Sequence, residues 1–168
     1  MIVSKLSGFS KNQKLVYFLI GLGGGIICQL LFSTLQPRMT AQGYSILDLE
    51  FAWTSSNLDS ILTAWSPVKN DVITYMFIDM LFPIFYFLGL NGWSLLVNFE
   101  GKSLKIVTLA AFLAIIFDYI ENIFTFIVLF DANYIFIAPF MITLCAILKF
   151  LLIIFVILRN LAKMIIKK

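Results

Sequence analysis

Four apolar stretches fill most of this 168-residue chain, each long enough to cross a bilayer as a helix. The last three carry charges where a lipid-spanning helix should have none: Asp79, Asp118, Glu121 and Lys149. A charge near mid-bilayer is costly unless it meets a partner or water, so each such residue marks a candidate functional site.

Hydrophobic residues make up 61% of the chain and charged residues 12%, against roughly 45–50% and 25% in ordinary soluble domains. A water-soluble fold of this length could not hide that much apolar surface, so one integral membrane domain over residues 1–168 is expected. The formal charge of +3 comes from Lys and Arg crowded at the two ends, with no basic stripe beside aromatic platforms. Nucleic acid is therefore not an expected partner. The chain has no His, which removes bis-His haem, His-based zinc and Ser-His or Cys-His catalysis. No metal site and no cofactor are expected. Cys28 and Cys145 lie in different apolar segments and form no C-x-x-C pair, so both read as buried structural thiols.

The N-terminal segment through Lys14 is basic and precedes an apolar run from Leu15 to about Phe32. That run is too long for a typical signal h-region and lacks an A-x-A site, so it is expected to be an uncleaved first span, TM1, residues 15–32. Gly21 and Gly25 make a G-x-x-x-G within it. Small residues let helix backbones approach closely, either inside one chain or across a homo-oligomer seam. No G-K-[ST] follows the glycines, which excludes a phosphate-cradling loop.

Residues 33–71 are mixed and contain Pro37 and Pro67, the pattern of a long outer connection. Leu58, Ile61, Leu62 and Trp65 fall at helical spacing behind a Ser cap, which predicts a short amphipathic helix lying on the interface. Tyr44, Trp53 and Trp65 suit the headgroup level. Asp48 and Glu50 are expected to be solvated surface charges, with an entrance to the membrane site as the alternative.

TM2 is expected at about 72–90, with Asp79 inside it and Pro83 four residues later. Proline removes a backbone donor and frees the carbonyl of residue 79, which predicts a kink beside the acid. Asn91-Gly92 is expected to end that helix. TM3 follows at about 106–130, a tight turn at Asp131, Ala132 and Asn133, and TM4 at about 134–158. Placing both ends inside puts Lys5, Lys11, Lys14, Lys102, Lys105, Arg159, Lys163, Lys167 and Lys168 on the cytoplasmic side and leaves only Arg38 and Lys69 outside. A bacterial cytoplasmic membrane suits this pattern. The fold class expected is all-α: a polytopic, antiparallel four-transmembrane-helix bundle with TM2 beside TM3 and TM3 beside TM4.

Asp118, Glu121 and Asn122 are spaced i, i+3, i+4 and so share one face of TM3. Two ionised carboxylates on adjacent turns repel at low dielectric, so one keeps its proton or a cation sits between them. From the helical rise, Glu121 lies roughly 13 Å and Asp118 about 18 Å from the outer end, Asp79 about 10–15 Å and Lys149 about 22 Å. These depths pair Lys149 with Asp118 near the centre and Asp79 with Glu121 one layer outward. Tyr75, Tyr119, Thr125 and Thr143 fall in the same layers. A purely structural reading makes the Lys149–Asp118 pair a device for fixing which helix faces point inward. Three acids facing one Lys argue for more, since the surplus must hold protons or meet something positive.

The strings ILDLEFAW in the outer connection, IDMLFPIFYFLGL in TM2 and FDYIENI in TM3 resemble the corresponding parts of small bacterial four-span membrane proteins. The resemblance covers about the middle two-thirds of the chain. It implies architecture alone, and it singles out Asp79, Pro83, Tyr86, Asp118, Glu121 and Asn122. The layout is also similar to that of the EXPERA family, whose sterol isomerases and sterol-binding proteins use four or five helices with buried carboxylates. The FPIFYF run after an acid carries that similarity.

The leading functional expectation is a binding or transport-related membrane protein whose site, Asp79, Asp118, Glu121, Asn122 and Lys149, receives a cation, a proton or a small amphipathic ligand. The ligand would displace protons from Asp79 and Glu121 while Lys149 holds Asp118 ionised. A second reading is a lipid-modifying enzyme, in which paired carboxylates serve as general acid and base for an isomerisation. The sequence offers no activated nucleophile and no metal-ligand cluster, so binding takes precedence over catalysis. A third reading is an accessory subunit of a membrane complex.

Overall fold

The computed structural model describes residues 8–131 and 136–166. Lys5, the turn at Ala132 and Asn133, the start of TM4 at Tyr134, and Lys167 and Lys168 lie outside the described residues. Every regular element among the described residues is helical. Four helices are long and apolar enough to cross a membrane: Lys11–Thr40, Ser66–Leu96, Gly101–Phe130 and Ala138–Ile166.

The first of these, α1 (Lys11–Thr40), begins at a reciprocal cap, with the Ser10 side chain accepting from the Gln13 N–H and the Gln13 side chain accepting from the Ser10 N–H. It runs eight residues past the predicted end and contains Pro37. A proline in the last turn removes only one internal hydrogen bond, and the extension buries Met39 completely. At that end the exposed Arg38 guanidinium donates to Asp71 at 2.9 Å.

The connection between the first and second spans is more ordered than an interfacial helix alone. It folds into α2 (Ile46–Glu50) and α3 (Ser55–Ala64), then a 3-10 turn at Ser66–Val68. The helix predicted from Leu58, Ile61 and Trp65 is present in α3, but its apolar face is turned inward: these three side chains are buried in a core shared with Val72, Val128, Leu129 and Ile142. Burying that face against the bundle makes the connection an integral cap on one end of it.

The second span is two helices, α4 (Lys69–Asp79) and α5 (Phe82–Leu96). The break at Met80–Leu81 falls where Pro83 was expected to disturb the ladder, directly after the acid. Asn91-Gly92 does not end the helix. Asn91 is buried and bonds back to the Phe87 carbonyl, and Gly92 sits against the Phe18 backbone, where a Cβ would collide. The sequence signal for a helix stop is here a close-approach site. The third span, α6, covers Gly101–Phe130 and the fourth, α7, Ala138–Ile166.

Helix α1 packs along α5 and α4, α5 against α6, and α6 along α7. Gly21 makes the first of these seams possible, because any Cβ there would land on the Gly89 backbone. Gly25 does not contribute to it and faces open space. Helices α1 and α7 form no comparable seam, while α2 and α3 lie on α7. A gap is left on that flank of the bundle, beneath the cap formed by α2 and α3.

Candidate functional site

The site is assembled from five elements. Helix α6 supplies Asp118, Glu121 and Asn122 from one buried face, as their spacing requires. Helix α7 supplies Lys149, only 4% exposed. Helix α4 ends at Asp79, α5 contributes Tyr86, and the cap contributes Glu50 through α2.

Glu50 is the largest departure from expectation. It is not a solvated surface charge but only 7% exposed, and its Oε1 accepts from the Lys149 ammonium at 3.1 Å. The reason lies in its short helix. Ser45 and Asp48 cap α2 reciprocally, and Leu49 and Ala52 on either side of Glu50 are buried. Trp53 then takes a left-handed backbone, φ 54°, and donates its N–H to Thr143 Oγ1 on α7 at 3.3 Å. That anchor holds the α2 terminus against α7, where Phe51 also stacks on Phe150. A left-handed conformation costs a non-glycine residue about 1–2 kcal/mol, which the buried neighbours must offset.

Lys149 is thus shared by three acids. Its ammonium donates to Glu121 Oε1 at 3.0 Å, with Oε2 at 2.9 Å, to Glu50 at 3.1 Å and, more weakly, to Asp118 Oδ1 at 3.5 Å. The expected pairing of Lys149 with Asp118 and of Asp79 with Glu121 is therefore corrected. Side chains on a helix lean toward its N-terminus, and the N-terminus of α7 is at the capped end of the bundle. The long lysine chain accordingly reaches toward the cap, to the Glu121 layer. The Phe150 ring lies 5.1 Å from the same ammonium.

Asp79 has a different setting. Among the described residues no ammonium or guanidinium lies within ion-pair distance of it. Asn122 sits between the two aspartates: its amide donates to Asp118 Oδ1 at 3.4 Å and lies against Asp79. Asp79, Asp118, Glu50, Lys149, Tyr75 and Tyr86 all line one cavity of about 210 Å³ on the open flank. Among the described residues, two buried oxygens of the cavity wall have no hydrogen-bonding partner: Glu50 Oε2 and the hydroxyl of Tyr86, which lies beside Asp118.

Fully ionised, four carboxylates and one ammonium would leave three net negative charges within this buried site. Such an arrangement persists only with bound protons or an added cation. Among the described residues no three acids or thiols are placed to hold a metal ion together.

The five residues expected from sequence are brought together, with Asp118, Glu121, Asn122 and Lys149 buried and Asp79 on the cavity wall. Glu50 joins them. Its string, ILDLEFAW, is singled out by resemblance, but nothing local distinguishes a buried acid from a solvated one five residues after a capping serine. Thr143 takes a structural part as the anchor for Trp53. Cys28 and Cys145 are both buried and free. The chain matches no family model, no curated protein and no solved structure, so the site stands on its own geometry.

Proposed function

We propose that this chain is an integral membrane binding protein, related to transport, whose acidic cavity takes up a cation or the positively charged or hydroxylated head of a small amphipathic ligand in place of protons. The observation that carries this reading is the imbalance of the cavity among the described residues: Asp79 faces it with no cation of its own, while the Lys149 ammonium is already divided among three acids. Lys149 and Glu121 then act as fixed structure, and Asp79, with Glu50 and Asp118 beside it, as the receiving groups. The basic ends favour a bacterial cytoplasmic membrane with both termini inside.

Protons and ligand compete for the same carboxylates, so affinity should rise with pH. The groups facing the ligand are Asp79 from α4, Tyr86 from α5, Asp118 from α6, Lys149 from α7 and Glu50 from α2, with Tyr75 on the wall. The test is titration of the purified protein in nanodiscs with ethylamine at mildly acidic and mildly alkaline pH. Tighter binding at the higher pH, weakened by Asp79→Asn, supports the reading. Equal affinity at both, or an unaffected Asp79→Asn variant, would sink it.

A further inference from the structure

A second cavity lies against the first. An almost wholly apolar groove of about 360 Å³ runs between α1 and α5, with Gly25, Ile26 and Gln29 on one wall and Phe82, Tyr86 and Trp93 on the other. Gln29, Phe82 and Tyr86 also line the acidic cavity. The two spaces therefore meet at these three side chains, with polar chemistry on one side and hydrocarbon on the other. From Phe18 to Gln29 the groove follows α1 for about 16 Å at the helical rise. Its rim is made of exposed apolar side chains, among them Leu22 and Ile26.

We infer that the ligand of the acidic site is a single-chain cationic amphiphile drawn laterally from the bilayer, its amine in the acidic cavity and its alkyl chain in the α1–α5 groove. This deepens the proposed function and rests on it. Three observations select that occupant. The head compartment has surplus carboxylates and a buried, unpartnered Glu50 Oε2, which an ammonium would satisfy with its N–H donors. The polar side chains of the tail compartment are Gln29 and Tyr86, both at the junction, and the Trp93 indole, whose N–H is turned to Met164. The opening is rimmed by exposed apolar side chains of a helix long enough to span a membrane, so on lateral entry the alkyl chain stays in apolar surroundings throughout and only the head exchanges its environment.

Tail and head make separable demands. A Cβ at Gly25 meets nothing within 4 Å, so Gly25→Leu fills the groove without disturbing the helix seam. Ile26→Trp narrows the same groove from its exposed rim and serves as a second, independent variant. Protein in phosphatidylcholine nanodiscs is equilibrated with radiolabelled dodecylamine, and the retained amine is counted against empty nanodiscs. Ethylamine, which has a head but almost no tail, is scored in parallel by its effect on the thermal midpoint.

Both groove variants are expected to bind dodecylamine about tenfold or more weakly, the equivalent of an overpacking clash of at least ~1.4 kcal/mol, while ethylamine still stabilises them as it does the wild type. Asp79→Asn is expected to lose both probes. If both groove variants retain dodecylamine at wild-type affinity while ethylamine binds normally, the lateral tail site is wrong and the acidic-site reading stands. If the wild type binds neither amine, the underlying reading fails and takes this one with it. Dodecanoate retained as well as dodecylamine would overturn the assignment of a cationic head.

Discussion

The Lys149 ammonium lies 3.1 Å from Glu50 Oε1, joining the middle of the last membrane helix to the end of a five-residue helix in the cap. The same ammonium also binds Glu121 and Asp118. One cation with three acceptors makes the cluster asymmetric: each acid can be removed singly without stranding Lys149, whereas removing Lys149 strands all of them. Lys149→Met should therefore destabilise the protein by about 3–5 kcal/mol, and Glu50→Gln, which keeps a hydrogen-bonding oxygen, by about 1 kcal/mol. Unfolding in mixed detergent micelles measures both. Equal losses would mean that the lysine is not the shared centre.

Glu50 depends in turn on the cap of its own helix. Asp48 accepts from the Ser45 N–H at 2.6 Å and from the Ser45 hydroxyl at 2.7 Å. The hydroxyl and then the backbone N–H hold the Asp48 carboxyl below its ordinary value of 3.8. The folded state thus binds this proton less readily than the unfolded chain, and the stabilisation is complete above the ordinary carboxylate value. It is lost as pH falls through the lower, folded value. Hydrogen exchange of the amides in 46–50 should quicken below about pH 4, and Asp48→Asn should flatten that pH dependence. At neutral pH, Ser45→Ala should cost about 1 kcal/mol through loss of the cap.

The parts of this site that sequence makes legible are those set by local periodicity. Asp118, Glu121 and Asn122 must share a helix face whatever surrounds them, and Pro83 must disturb the turn carrying Asp79. Both relations appear as expected. Which acid meets Lys149 is a question of side-chain direction and of what the outer connection does, and depth counting along ideal helices contains neither. Glu50 reaches Lys149 only because Trp53 is anchored on Thr143, ninety residues away in the chain. The helix stop at Asn91-Gly92 was misread for a related reason: a glycine marks either a chain reversal or a close helix contact, and the Phe18 backbone that decides between them lies on another helix.

The orientation proposed from charge can be read with single cysteines, because Cys28 and Cys145 are each only 3% exposed and should not react with a bulky maleimide. Lys102 lies in the first turn of the third span and Asp59 in the cap formed by α2 and α3, and both are exposed. A membrane-impermeant maleimide added to intact cells should label Asp59→Cys and spare Lys102→Cys, and inverted vesicles should reverse the pattern. Labelling of Lys102→Cys from outside would overturn the assignment of the basic ends to the cytoplasm.

Gly21 and Gly25 stand one helical turn apart in the same G-x-x-x-G, yet they meet different surroundings. A Cβ on Gly21 would overlap the Gly89 backbone, which cannot move without separating α1 from α5. Gly21→Ala should therefore destabilise by about 1–3 kcal/mol through overpacking. Gly25→Ala adds a methyl group to open space and removes a flexible residue from a helix, so its effect should be neutral to slightly stabilising, within about 1 kcal/mol. Thermal unfolding of both variants in nanodiscs, with sedimentation to follow association, separates this internal seam from a contact between copies. Loss of self-association without loss of stability in Gly21→Ala would assign the glycine to an interface between chains instead.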